Sequence, residues 1–200
     1  MTFVRLSLTA LLAAATLQHG LPALAQTRSV DPREFDVAGV KTGMDMQQAI
    51  AAAAAHFGVP KSQVKVDPYP GVDVVTKTRL QRYFTIEKGS ARLSVHFDPR
   101  VPLDKAHPSA VSFITYELPW TGENKSAMAK AAAEKYGAPT AEALTYGMHW
   151  CERPRANIGC DDMDEPRLAL SGVKMTLSDP AWGKAARKFS DEAKTVKPSF

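Results

Sequence analysis

Cysteine is scarce. Cys151 and Cys160 are the only two in 200 residues, so neither a cysteine-rich metal framework nor a multiply bridged mini-domain is available. Long hydrophobic runs are missing too: after the first 25 residues no apolar stretch approaches about 20 residues, which excludes a membrane-spanning helix there. Neither sign of charge is in large excess, since 25 Lys and Arg face 21 Asp and Glu for a net +4. The basic residues are dispersed, with Lys77, Arg79 and Arg82 the densest cluster, and this weak balance makes no case for a nucleic-acid partner. Catalytic signatures are also lacking. There is no G-x-S-x-G, H-E-x-x-H, P-loop or G-x-G-x-x-G. Ser62-Gln63-Val64-Lys65 and Lys41-Thr42-Gly43 match the S-x-x-K and K-T-G of penicillin-binding enzymes, but in reversed order, with Ser62 after a helix stop. Those two matches are read as coincidence.

What is present begins with a processing signal. Arg5, the small apolar run Leu6 to Leu17 and the A-x-A site Ala23-Leu24-Ala25 predict a signal peptide over 1–25, cleaved before Gln26. Export of the remaining 175 of 200 residues to the periplasm or beyond is expected. In that oxidising compartment Cys151 and Cys160 are expected to form a disulfide, contributing roughly 3 kcal/mol at most for so short a loop. Apolar residues make up 44% of the chain, enough for a real core.

One short pattern is written twice, 79 positions apart. Thr42-Gly43, Asp45, Ala52-Ala53-Ala54 and Phe57-Gly58-Val59-Pro60 recur as Thr121-Gly122, Asn124, Ala131-Ala132-Ala133 and Tyr136-Gly137-Ala138-Pro139. Each matched element is helix chemistry: an N-cap, a small-residue body, an aromatic anchor, a glycine stop and a proline that prevents continuation. Helices are predicted over 46–57, capped by Asp45 with Gln48 completing a capping box, and over 125–136, capped by Asn124. Alternating apolar residues then predict strands at 63–67, 79–87, 91–98 and 110–118, and again at 144–151, 167–170 and 173–178. Leu80, Phe84, Ile86, Leu93, Val95 and Phe97 share one face of the first hairpin; Gln81, Tyr83, Thr85, Arg92, Ser94 and His96 share the other. Strand 110–118 is apolar on both faces and is placed centrally. Ser171-Gly172 is a tight turn or a glycine bulge.

The expected fold is therefore α+β, with two tandem helix-plus-antiparallel-sheet repeats at 26–118 and 119–180 and the helices on one face of the sheet. A basic tail at 181–200 follows, with a short helix from Trp182 to Lys194. These capped helices ending in aromatic-Gly-x-Pro, each followed by antiparallel strands, resemble the BLIP-like architecture of β-lactamase-inhibitor proteins. The entry motif Gly39-Val40-Lys41-Thr42-Gly43-Met44 is also similar to the small outer-membrane-assembly lipoproteins of the BamE (SmpA) type. The resemblance covers about 36–178 and implies a non-catalytic, protein-binding module of the cell envelope. The first unit has no cysteine pair, there is no lipobox cysteine, and no inhibitory contact motif carries over.

Of the four histidines after the signal segment, His149 shares a strand face with Cys151, which permits a thiol nucleophile or part of a zinc site. Cys160 would consume that thiolate, and the spacing of His149, Cys151, Cys160 and Asp161 fits no zinc pattern. His56 and His107 are assigned to a helix surface and a loop. The acidic run Asp161-Asp162-Met163-Asp164-Glu165 lacks the spacing that wraps oxygens around calcium and is read as a solvated loop. Tyr83, Tyr116, Trp120 and Trp182 are the aromatics outside the expected core, with Trp120 assigned to the junction between repeats. The favoured binding face is Tyr83, Arg79, Arg92 and His96, because aromatics desolvate a large area at low entropic cost. No catalytic residue, metal or cofactor is assigned, and the expected partner is another envelope protein. The alternatives are a hydrolase or thiol enzyme using His149 and Cys151, or a binder of a metal ion or envelope polymer.

Overall fold

The computed structural model describes residues 28–143, 147–155, 158–160 and 164–194. The stretch 1–25 expected to be a signal peptide, Leu144 and Tyr146, and Asp161 to Met163 of the acidic run lie outside them. Among the described residues there are three α-helices: α1 (Met46–Phe57), α2 (Gly122–Tyr136) and α3 (Ala181–Lys194). The strands are β1 (Lys65–Val66), β2 (Gly71–Val72), β3 (Arg79–Leu80), β4 (Tyr83–Lys88), β5 (Ala91–Pro99) and β6 (Ser109–Glu117). After α2 come β7 (Ala141–Ala143), β8 (Gly147–Trp150), β9 (Pro154–Arg155), β10 (Gly159–Cys160), β11 (Arg167–Ser171) and β12 (Lys174–Ser178).

Eight strands form one antiparallel sheet in the order β1-β4-β5-β6-β12-β11-β8-β7. Two small ribbons, β2–β3 and β9–β10, stand apart from it. The register aligns a continuous apolar row across seven strands: Val66, Phe84, Val95, Ile114, Leu177, Leu168 and Trp150. A register shift between His96 and Phe97 brings Val111, not Ser112, opposite Phe97, and a period of two turns the row to one side. There the sheet meets α1, through Ala49, Ile50, Ala53, Ala54 and Phe57, and α2, through Met128, Ala132 and Tyr136. All of these residues except Val66, which packs against it, belong to one hydrophobic core.

Local chemistry sets the helix ends. Asp45 accepts from the Gln48 amide at 2.9 Å and the Gln48 side chain returns to the Asp45 amide at 3.1 Å, a complete capping box. Gly58 closes α1 in the left-handed conformation, φ +59°. The second helix begins earlier than expected. Thr121, not Asn124, is its N-cap, accepting from the Asn124 amide at 3.0 Å, while the Asn124 side chain donates back to the Pro119 carbonyl.

Two strands also depart from the alternation pattern. The run 79–87 is broken at 81–82: Arg79–Leu80 pairs with Gly71–Val72, and only Tyr83–Lys88 joins the main sheet. Asp67, buried, draws the Arg82 amide at 3.0 Å, and Asp73, also buried, pairs with the Arg82 guanidinium at 2.8 Å. These bonds pull the chain off the straight path that period counting assumes. In the segment 63–67 only Lys65–Val66 forms a strand, and Gln63 ends a 3-10 turn that begins at Lys61. Strand β6 is central, between β5 and β12, as its two apolar faces indicate.

Candidate functional site

The sheet face away from α1 and α2 carries three lateral rows. Tyr83, His96 and Phe113 stand opposite one another on β4, β5 and β6. Tyr83 and His96 have ring centroids 5.8 Å apart, and His96 meets Phe113 edge to face at 6.0 Å. The next row is hydroxylic: Thr85, Ser94, Thr115 and Thr176. The third alternates in charge, with Glu87, Arg92, Glu117 and Lys174 on successive strands. Arg92 lies 3.8 Å from Glu87, and Lys65 lies 3.1 Å from the same carboxyl. The Lys65 hydrogen bond holds the Glu87 carboxyl below its ordinary value.

This face is open because most of its residues cannot build a core, not because apolar surface is missing. Phe113 is 38% exposed, and His96 and Arg92 are exposed. Such an aromatic strip flanked by polar side chains can desolvate a large area against a partner. The third helix shades one end of it. α3 packs against β5 and β6, with Gly183 beside the carboxylate of Asp98, which shares the His96 side of β5. Trp182 at the start of α3 lies under the Arg100 guanidinium, 5.0 Å from the ring centre.

Of the residues singled out from the sequence, Tyr83, His96 and Arg92 share this face, and Tyr83 and His96 touch. Arg79 does not join them. It belongs to the β2–β3 ribbon, donates to the Pro70 carbonyl at 3.1 Å, and lines a separate groove near Asp45 and His107. Gln81 lines that groove as well. His107 Nδ1 lies 2.8 Å from the Asp45 carboxylate, so the loop of 99–108 meets the cap of α1. Tyr116 stands on the helix-bearing side, opposite Leu93 and Met175, where burial raises its phenol pKa. Trp120 is 72% exposed with its ring over Gly172, the first turn residue of the β11–β12 hairpin, which takes φ +62°. Thr85 and Ser94 were placed on this face by the strand period, but Phe113 and Thr115 of β6 were missed, because a strand with apolar residues on both sides gives no sign of which side is covered.

Cys151 and Cys160 are bonded to each other, with Cα atoms 6.0 Å apart. Cys151 is fully buried, and its amide donates to Thr140 Oγ1 at 3.0 Å. His149 packs its ring against Gly159 of the β9–β10 ribbon. Among the described residues no group of three or more His, Cys, Asp or Glu is close enough to hold a metal ion. In the described part of the acidic run, Asp164 contacts Lys184 at 3.2 Å and Glu165 pairs with Arg153. Ser62 is exposed in a 3-10 turn. Compared with known proteins, no family model matches this chain, and neither does any curated protein or solved structure.

Proposed function

We propose that this is an exported, non-catalytic module of the cell envelope that docks another protein on the open face of its sheet. The observation that carries the reading is the register that sets Tyr83, His96 and Phe113 side by side, next to the Thr85–Ser94–Thr115–Thr176 row and Arg92. The bonded cysteine pair suits an oxidising compartment, and no helix among the described residues is long and apolar enough to cross a membrane. The bond also leaves Cys151 without the thiolate that a thiol enzyme would need.

The reading includes a duplicated scaffold of the BLIP-like or BamE type. Its support is the strand order, which runs outward from the β6–β12 pair as last, third, second and first strand on each side. Helix positions 79 apart are buried alike: Ala49 and Met128, Ala53 and Ala132, Phe57 and Tyr136. The ribbons break the correspondence, since β2–β3 is inserted after the first strand of its half and β9–β10 after the second.

The test is retention of envelope proteins by the immobilised chain and by a Tyr83→Ala/His96→Ala/Phe113→Ala variant with an unchanged melting curve. A partner held by the parent and released by the variant is expected. Equal retention by both would remove the sheet face as the docking surface.

A further inference from the structure

A cavity of about 320 Å3 opens on the opposite side of the molecule, between α1 and α2. Its origin is in the sequence. Two helices lying on a sheet ordinarily fill the space between them to interior density with long side chains. Here α2 offers Ala127, Ala131 and Ala132, which end at Cβ, and the gap stays open. Its depth is apolar, formed by Val37, Tyr116, Met128, Ala132 and Met175. The exposed groups His56 and Lys135 stand at the mouth.

We infer that this cleft holds one fatty acyl chain, with the carbonyl end of the chain at His56 and Lys135. The mostly apolar walls give water few hydrogen-bond partners, and about 320 Å3 of space open on one side leaves room for an extended apolar body that covers them. Met128 and Met175 supply flexible thioethers that adapt to a chain without one fixed shape. The mouth favours a head group that accepts hydrogen bonds. The Lys135 ammonium has three donors, of which Asp36 takes one at 2.6 Å, and His56 adds an imidazole N–H. A carboxylate or an ester carbonyl meets that requirement, whether from a free fatty acid or from a lipid. The site lies on the other side of the sheet from Tyr83, so it stands or falls independently of the docking face.

The experiment titrates the purified protein with laurate and, separately, with lauroyl glycerol, both below their aggregation concentrations, and reads methyl-labelled methionine by NMR. The expected result is saturation at one equivalent, with the Met128 and Met175 methyls shifting and that of Met46, beside the other groove, unmoved. Laurate alone binding would identify a free acid as the source, and the ester binding as well would identify the chain of a lipid. Ala131→Phe fills the cleft from an exposed helix position and is expected to weaken binding about tenfold or more. Ala127→Phe is the second filling variant should the first melt early. Tyr83→Ala is expected to bind laurate like the parent. Absence of saturable binding, shifts spread over Met46 as well, or undiminished binding by a folded filling variant would each overturn the assignment.

Discussion

His96 stands between two aromatic rings, Tyr83 on one side and Phe113 on the other, with Asp98 two residues along the same strand face. Although the residue as a whole is exposed, partial desolvation of the imidazole lowers its pKa from the ordinary 6.5, and the Asp98 carboxylate offsets part of that shift. The folded chain therefore binds less proton at this position than the unfolded chain. The stability this contributes is present above the ordinary histidine range and is lost as pH falls through 6.5 toward the lowered value. Thermal midpoints between about pH 7 and 5 should fall less steeply for His96→Gln than for the parent. Parallel slopes would show that the imidazole is not the group responsible. Acid groups held low by their partners, such as Asp31 beside Arg33 and Asp36 beside Lys135, lose their contributions further down, so they do not blur this window. The alternation of Tyr83, Thr85 and Arg92, Ser94, His96 was legible in the strand period, whereas Phe113 was not. Only the pairing of β6 with β5 brings it to His96.

At the scale of elements, the N-terminus of α1 gathers three interactions at one residue. The Asp45 carboxylate accepts from the Gln48 amide, the Asp45 amide donates to the Gln48 side chain, and His107 Nδ1 lies 2.8 Å from the carboxylate. Asp45→Ala should destabilise the protein by about 1–2 kcal/mol, read as a lower urea midpoint with unchanged slope. Thr121→Ala at the cap of α2, which has a single capping bond from its side chain, should cost less, about 1 kcal/mol or under. Equal losses at the two sites would mean that the His107 contact adds nothing. The caps illustrate which element boundaries a sequence discloses. Asp45 and Gln48 have the spacing that geometry demands. At the second helix Thr121 and Asn124 are both acceptable caps three residues apart, and the Asn124–Pro119 bond decides for Thr121.

In the whole molecule the two halves share one sheet and one core through the β6–β12 pair. Leu177 lies in that seam, fully buried between Ile114 and Leu168 in the lateral row. Leu177→Ala should therefore cost about 3–4 kcal/mol and leave one cooperative transition, with far-UV and Trp150-dominated near-UV signals coinciding. Two separated transitions would show that each half holds its own stability. Gly147 is constrained on the same scale. It takes φ +85°, and a Cβ there would collide with the Leu170 carbonyl of the neighbouring strand. Its need for glycine is invisible until β8 and β11 are paired.

The helices and their stops, the disulfide-forming pair and the two faces of β4 and β5 were determined by residues within a few positions of one another. Capping, the period of strands and the closure of a short loop all act at that range. Long-range contact decided the rest: the single sheet, the diversion of Arg79 into the β2–β3 ribbon, the placement of Tyr116 on the helix side, and the unfilled space over Met175. Strand pairing and void volume depend on what arrives from far along the chain, and alanine records only that a side chain is small, not whether anything else occupies the space it leaves.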